Sequence, residues 1–213
     1  MVMKNRKKIL IISLTLLASF TCAAETVTKG MKKVIDDALD FSVKQSMSMF
    51  YEMKDQKGIL PRTAENGKMI TCESAWWTSG FYPGTLWYCY EYSNDPQIRA
   101  AAEEMTSRVE KQKYTTSNHD VGFIINCSFG NGYRLTHNET YRKVIETAAK
   151  SLSTRFHPVT GCTRSWNSKK WQFSVIIDNM MNLELLNVAS SLTGDNTYYN
   201  MAKSHADRKM INH

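Results

Sequence analysis

The heptapeptide LTHNETY at residues 135–141 recurs 57 positions later as LTGDNTY at residues 192–198. In both copies an apolar run ends at Leu-Thr, a turn containing Asn or Asp follows, and a more polar segment begins near Thr-Tyr. The agreement continues to Ala149 and Ala206, and Tyr92–Asp95 occupies the equivalent place 43 positions before the middle copy. The repeating unit is therefore one apolar helix, a tight turn and one amphipathic helix.

The rest of the chain is consistent with an all-α fold built from these units. Apolar residues from Met31 to Met53 follow helical spacing, which predicts one long amphipathic helix. The segment from Gly58 to Gly67, which contains Pro61, is predicted to be a loop. No stretch shows a sustained alternation of apolar and polar residues, so the prediction contains helices only.

Residues 1–24 have the features of a signal peptide. A basic segment, with Lys4 at its start, precedes an apolar run from Ile9 to Phe20, and Cys22-Ala23-Ala24 supplies small residues for cleavage. The apolar run is too short for a membrane span. The residues before Cys22 match a lipoprotein signal poorly, so export to the periplasm or the medium is favoured over a lipid anchor. The mature part, residues 25–213, is long enough for one core and is predicted to belong to a single domain.

Charge and cysteine content exclude some classes of function. The net charge of +7 falls to about +3 once the four bases of residues 1–24 are removed, leaving 23 bases against 20 acids. That balance is typical of a soluble surface and does not indicate a nucleic-acid partner. The four cysteines of the mature part have neither zinc-site nor disulfide spacing, and we expect buried thiols.

Two stretches place an acidic residue at the start of an apolar helix: NHDVGF at residues 118–123 and VIIDNM at residues 175–180. Counted back from the end of its own apolar helix, Asp120 lies 15 positions away, Asp178 lies 14 and Trp77 lies 15. In stacked helical hairpins the apolar helices pack inside and point in the same direction. We therefore expect these three residues to share one rim of the molecule.

The roles of the polar candidates stay open at this point. Aspartate is common at helix N-termini, where its side chain accepts unpaired backbone N–H groups. Asp178, however, follows Val175-Ile176-Ile177, and burial in such an apolar wall would raise its pKa, as a general acid near neutral pH requires. His119, beside Asp120, is expected either to hydrogen-bond a ligand or to orient its neighbour.

Aromatic residues gather at the same predicted rim. These residues are Trp76, Trp77, Phe81, Tyr82, Trp166 and Trp171. They form either part of the core or a platform on which the C–H faces of sugar rings pack.

Four segments carry a resemblance to a known family. They are WTSGFYPG at residues 77–84, NHDVGF at 118–123, TRSW at 163–166 and IIDNMMNL at 176–183. At these segments the chain resembles the unsaturated glucuronyl hydrolases, glycoside hydrolase family 88. The resemblance implies an (α/α)6 barrel, the six-hairpin glycosidase fold, of which this chain would form an incomplete, N-terminal part.

The resemblance also implies an activity and a set of site residues. Family members hydrate the C4=C5 double bond of the unsaturated uronic acid at the non-reducing end of lyase-generated oligosaccharides, and the hemiketal formed expels the neighbouring sugar. Asp178 matches the general acid and base, and Asp120 matches a second essential carboxylate on the opposite side of the site. Trp77 and Trp166 match residues that hold the sugar, with His119 as a further binding residue. Neither a metal nor an organic cofactor is implied.

Two observations bear on alternatives. Six hairpins at the repeat lengths seen would need about 330 residues, which predicts a truncated chain or an incomplete gene model lacking a downstream histidine and an arginine for the substrate carboxylate. A non-enzymatic helical-repeat scaffold would have a constant period near 34, unlike the 43 and 57 found here. A related hydrolase of unsaturated rhamnogalacturonan fragments stays open as a second enzymatic interpretation.

Overall fold

The computed structural model describes residues 28–212, so the predicted signal peptide, residues 1–24, lies outside the described residues. The first helix, α1, spans Lys29–Met53 and agrees with the prediction. Residues 28–38 belong to a first compact unit, in which Lys32–Asp36 and Lys33–Asp37 form ion pairs one turn apart along the helix. The elements that follow belong to a second compact unit, which begins at Leu39.

The second unit contains the helical hairpins predicted from the repeat. Their helices are α2 (Phe81–Ser93) with α3 (Pro96–Ser107), α4 (Val121–Ile125) and α5 (Asn131–Thr136) with α6 (Glu139–Ser153), and α7 (Asn179–Asn182) and α8 (Glu184–Thr193) with α9 (Asn196–Asn212). A π-helical turn, Asn126–Gly130, joins α4 to α5, and a 3-10 turn, Glu110–Tyr114, follows α3. The mainly helical fold class is confirmed.

The prediction of a loop from Gly58 to Gly67 is wrong. Strands β1 (Ile59–Glu65) and β2 (Lys68–Glu73) pair antiparallel across Asn66-Gly67, whose φ angles of 50° and 73° are both positive. Two positive φ angles define the hairpin turn that Asn-Gly favours. The strands show no alternation in sequence because most of their side chains are exposed or half-buried, and because a register irregularity follows Pro61. A second small hairpin, β3 (Phe156–His157) with β4 (Cys162–Thr163), lies between α6 and α7.

The core is formed where the apolar helices meet the helices that cover them. All five residues of α4 are buried, whereas α6 buries one face only, as the repeat predicts for an outer helix. Trp87 of α2 is fully buried and its Nε1 donates to Thr106 Oγ1 at 2.9 Å. The covering helix α3 thus supplies the hydrogen-bond acceptor for the one polar atom of the largest buried side chain.

Glycine allows the starts of the inner helices to approach one another. A Cβ on Gly80 would overlap the carbonyl oxygen of Ile124 in α4. A Cβ on Gly122 would lie 2.6 Å from the backbone of Asn182 in α7. Since real Cβ atoms do not come so close to backbone atoms, only glycine fits at these two crossings. The starts of α2, α4 and α7 are brought together by these contacts.

Two further expectations can be compared with residues 28–212. Over that range no helix has the length and apolar character needed to cross a membrane. Cys72, Cys89, Cys127 and Cys162 are free thiols; Cys89 is buried and the other three are half-buried. Burial raises the pKa of each, that of Cys127 to about 11, so these thiols are poorly reactive near neutral pH.

Candidate active site

Hydrogen bonds to Ser165 join the two loops that carry the predicted acids. The backbone N–H of His119 donates to the Ser165 carbonyl at 2.8 Å, and the backbone N–H of Ile176 donates to Ser165 Oγ at 3.0 Å. Asn118 and Trp166 form an isolated β-bridge beside them. The loops that enter α4 and α7 therefore lie side by side, although the two acids are 58 residues apart.

The two acids meet at one imidazole. Asp120 immediately precedes α4 and Asp178 immediately precedes α7. His119 Nε2 lies 3.4 Å from Asp120 Oδ1 and 3.8 Å from Asp178 Oδ2, and the histidine is only 1% exposed. One oxygen of each acid and the imidazole nitrogen lie within 4.8 Å of one another, so both acids belong to one cluster.

Neither acid acts as a helix cap. Asp120 and Asp178 stand at N-cap positions with helical backbone angles, and neither side chain accepts a hydrogen bond from its helix. Asp178 Oδ1 is buried and has no hydrogen-bond partner among the described residues. The capping interpretation is therefore excluded for both acids, and their carboxylates are available for other contacts.

Asp120, and not Asp178 as predicted, is the more buried of the two acids. Desolvation raises the pKa of Asp120, with the charge of Asp178 adding to the increase and those of His119 and Arg155 opposing it. The side chain of Asp178 is 37% exposed, against 21% for Asp120. The expected apolar wall is absent because Ile177, next to Asp178, is itself 60% exposed. Asp178 is thus the accessible acid and Asp120 the more deeply placed one.

The position of His119 favours the second of its two expected roles. Its ring is buried, and Nδ1 is hydrogen-bonded to Asn179 Oδ1 while Nε2 faces the carboxylates. Both ring nitrogens therefore contact protein groups, so the ring is placed to orient Asp120 and Asp178.

Three of the predicted aromatic residues have different surroundings. Trp166, 39% exposed, packs edge-on to the His119 ring with centroids 6.3 Å apart. Trp77, 44% exposed, contacts Phe123 of α4 at 6.1 Å. By contrast, Trp76 stacks under the guanidinium of Arg62 on β1 at 4.1 Å. Trp166 thus offers exposed aromatic surface at the cluster, and Trp77 offers it at the start of α4.

Sequence reasoning missed the buried polar residues that support the cluster. Asn179 is fully buried, and its amide nitrogen donates to the Thr163 carbonyl at 3.1 Å and to Ser165 Oγ at 2.8 Å. Arg155 Nη1 donates to the Thr116 carbonyl at 2.5 Å, and its charge acts on Asp120. Of these two residues, only Asn179 could have been noticed in the sequence, because it is a polar residue in the first turn of an apolar helix.

The same cluster is the one group within residues 28–212 whose ligand atoms are close enough to hold a cation together. An imidazole nitrogen and two carboxylates suit a divalent metal, and they equally suit a shared proton.

Comparisons with known proteins agree with one another. No protein-family model matches the chain. It is 46% identical over 134 residues to an unsaturated glucuronyl hydrolase of Formosa agariphila, covering 62% of this chain and 34% of that protein. It is 34% identical over 178 residues to an unsaturated chondroitin disaccharide hydrolase of Streptococcus pyogenes serotype M1, covering 80% of this chain and 44% of that protein.

A solved structure extends the likeness to the fold. The crystal structure of an unsaturated glucuronyl hydrolase specific for heparin matches with a TM-score of 0.76 and 39% identity, over 84% of this chain and 49% of that one. The chain spans between about a third and a half of the length of these three proteins. Its helical hairpins are part of the six-hairpin glycosidase fold, as predicted. The chain is thereby identified as a relative of the unsaturated glucuronyl hydrolases, glycoside hydrolase family 88, which it matches over up to about half of their length.

Proposed function

We propose that the protein is a glycoside hydrolase that removes the 4,5-unsaturated uronic acid from the non-reducing end of lyase-generated oligosaccharides. One observation carries the proposal: Asp120 and Asp178, neither of them engaged in capping, meet at the buried ring of His119. The matched relatives are named for unsaturated glucuronyl and unsaturated chondroitin disaccharide substrates, which supports the substrate class.

Asp178 is the general acid and base of the proposed reaction. Its side chain is part-exposed, so it can reach a bound sugar. The protonated carboxyl delivers its proton to C4 of the double bond. The carboxylate that results takes a proton from water as the water oxygen bonds to C5. The hydroxyl added at C5 forms a hemiketal, which opens and releases the neighbouring sugar.

Asp120 keeps a proton within reach of Asp178. Burial raises the pKa of Asp120, so this acid holds a proton to higher pH than a solvated carboxylate would. The spacing also argues against ordinary inverting hydrolysis, in which the carboxyl groups stand about 6.5–9.5 Å apart to admit a water molecule. Here one oxygen of each acid lies within 4.8 Å of the other, which leaves no such gap.

Trp77 and Trp166 hold the sugar in the proposed complex. Both present exposed aromatic surface, Trp166 against the His119 ring and Trp77 against Phe123 of α4. The apolar C–H face of an unsaturated uronate can pack on such a ring, and the packing leaves its double bond free to approach Asp178.

The test is the reaction of the purified protein with an unsaturated glucuronyl disaccharide. We expect the ultraviolet absorbance of the conjugated double bond to disappear as one equivalent of reducing sugar is released. The matched control is the same disaccharide with the double bond reduced, which should be inert. Release of sugar from the reduced control, or unchanged absorbance of the unsaturated disaccharide, would overturn the proposal. Faster turnover of an unsaturated rhamnogalacturonan disaccharide would overturn the assignment to glucuronyl substrates.

A further inference from the structure

The orientation of the Asn179 side chain follows from its partners. A backbone carbonyl can only accept hydrogen bonds, so the atom of Asn179 that faces the Thr163 carbonyl at 3.1 Å must be the amide nitrogen. The same nitrogen lies 2.8 Å from Ser165 Oγ. The opposite orientation would set two oxygens against each other in a fully buried place. Asn179 Oδ1 therefore faces His119.

This orientation decides which nitrogen of His119 carries a proton. Asn179 Oδ1 is an acceptor and His119 Nδ1 is its partner, so Nδ1 must donate. In a neutral imidazole the other nitrogen, Nε2, then has no proton and presents a lone pair. That lone pair would face the oxygens of Asp120 and Asp178 at 3.4 and 3.8 Å. Three acceptors facing one another are unfavourable unless a proton lies between them.

We propose that Asn179 is a positioning residue: it holds His119 in the Nδ1–H form, so that Nε2 of His119 shares an additional proton with Asp120 and Asp178. The proposal rests on the proposed function, since this shared proton is the one that Asp178 transfers to C4. Asn179 is fully buried and acts through His119.

The charged groups around His119 are compatible with one extra proton. Asp120 precedes α4 and Asp178 precedes α7. Arg155 lies two residues after the end of α6, and its charge lowers the pKa of Asp120 against the effect of burial. On α9, the charge of His119 acts on His205. The pKa of His205 is lowered to about 4, chiefly by burial, so His205 stays neutral near pH 7 and does not compete for the proton.

His205 provides an internal reference with the opposite proton position. The backbone N–H of Thr163 donates to His205 Nδ1 at 2.9 Å, so Nδ1 is an acceptor and the proton of the neutral ring is on Nε2. Thr163 thus contacts both systems, because its carbonyl accepts from Asn179. The structure therefore assigns opposite neutral tautomers to two buried histidines of one protein.

The test is nitrogen-15 NMR of protein labelled at histidine, with long-range nitrogen–proton correlations that identify the tautomer of each ring. Signals are assigned with His119→Gln and His205→Gln variants, and the buffer contains EDTA so that no cation enters the cluster. We expect the neutral ring of His119 to carry its proton on Nδ1. At alkaline pH it should retain the Nδ1 proton, while His205 shows the Nε2–H form throughout. A neutral His119 with its proton on Nε2 would overturn the proposal in the wild-type protein, with no variant needed.

A variant then tests whether Asn179 is the cause. In Asn179→Leu, of similar size, we expect the neutral His119 to switch to the Nε2–H form, and kcat to fall by about 100-fold or more, with KM changed less than about twofold. The control is Ser165→Ala, which removes one of the two acceptors of the Asn179 amide and should leave the tautomer unchanged. An Asn179→Leu protein with an unchanged His119 tautomer would contradict the proposal.

Failure of the inference can be told apart from failure of the proposed function. The tautomers are measured without substrate, so an inactive wild-type protein with the expected tautomers would refute the function and leave the positioning of His119 intact. An active protein whose His119 has the reversed tautomer would refute only the inference.

Discussion

The outer and inner helices of the hairpins begin in different ways. The outer helices α3, α6 and α9 follow capping residues whose side chains accept a backbone N–H two residues later, at 2.7–2.9 Å: Asp95, Asn138 and Asp195. The inner helices α4 and α7 follow Asp120 and Asp178, whose side chains make no such bond. The same type of residue at the same position of a helix therefore serves two purposes.

The backbone explains the difference. Asp95 and Asn138 have extended ψ angles of 121° and 113°, which direct a side chain back to the first turn of the helix. Asp120 and Asp178 have ψ angles of −10° and −14° and are already helical. Their carboxylates point away from the N–H groups and meet at His119. Outer helix starts are built for stability, and inner ones hold chemical groups in place.

The largest effect on stability is expected where two inner helix starts touch. In Gly122→Ala the new Cβ would lie 2.6 Å from the backbone of Asn182, so α4 and α7 must move apart. We expect a loss of about 3 kcal/mol in the free energy of unfolding and a loss of activity, since the two acids separate. Urea denaturation and the absorbance assay measure the two effects. The control is Gly30→Ala, where a Cβ would meet nothing within 4 Å; equal losses in both variants would contradict the explanation.

A smaller effect is expected at the outer helix starts. Asp95→Ala and Asn138→Ala each remove a capping acceptor, and each should lower the free energy of unfolding by about 1 kcal/mol. Activity should be unchanged, because these residues lie outside the cluster around His119. The control Asp95→Asn keeps an acceptor and should keep the stability. A capping variant with a reduced kcat would remove the distinction between the two kinds of helix start.

The smallest effect on stability, an increase and not a loss, is expected from replacing Asp120. Its pKa is raised in the folded protein above the ordinary 3.8. Between these two pKa values the folded state binds more protons than the unfolded state, so stability falls as pH rises through that window. Asp120→Asn has no such titration and should be more stable than wild type near neutral pH, but not below pH 3.8. Urea denaturation over a pH series tests this; a variant less stable than wild type at neutral pH would be contrary to the expectation.

The sequence was sufficient for the parts of the fold that repeat. The recurrence of LTHNETY as LTGDNTY located the turns, and counting back from them placed Asp120 and Asp178 at the starts of inner helices, as found. The strands β1 and β2 were missed because an exposed hairpin has no apolar face to create an alternating pattern, although its Asn66-Gly67 turn was readable.

The site itself was only partly predictable. Position in a helix indicates which end of the molecule a residue occupies, but not the direction of its side chain. For that reason the meeting of both acids at His119 was not foreseen, and Asp178 was expected to be the buried acid. The role of Asn179 depends on hydrogen bonds to Thr163 and Ser165, which belong to a distant loop. Such contacts between segments leave no periodic trace in a sequence.

The central claim is that an inner helix start carries the chemistry, and one comparison tests it most directly. Asp178→Asn and Asp195→Asn make the same chemical change at an inner and an outer helix start. With the unsaturated disaccharide, we expect Asp178→Asn to lower kcat by about 10²–10⁴-fold while its free energy of unfolding stays that of wild type. Asp195→Asn should leave both quantities unchanged, since asparagine caps as well as aspartate. An Asp178→Asn protein that turns over the disaccharide at the wild-type rate would contradict the claim.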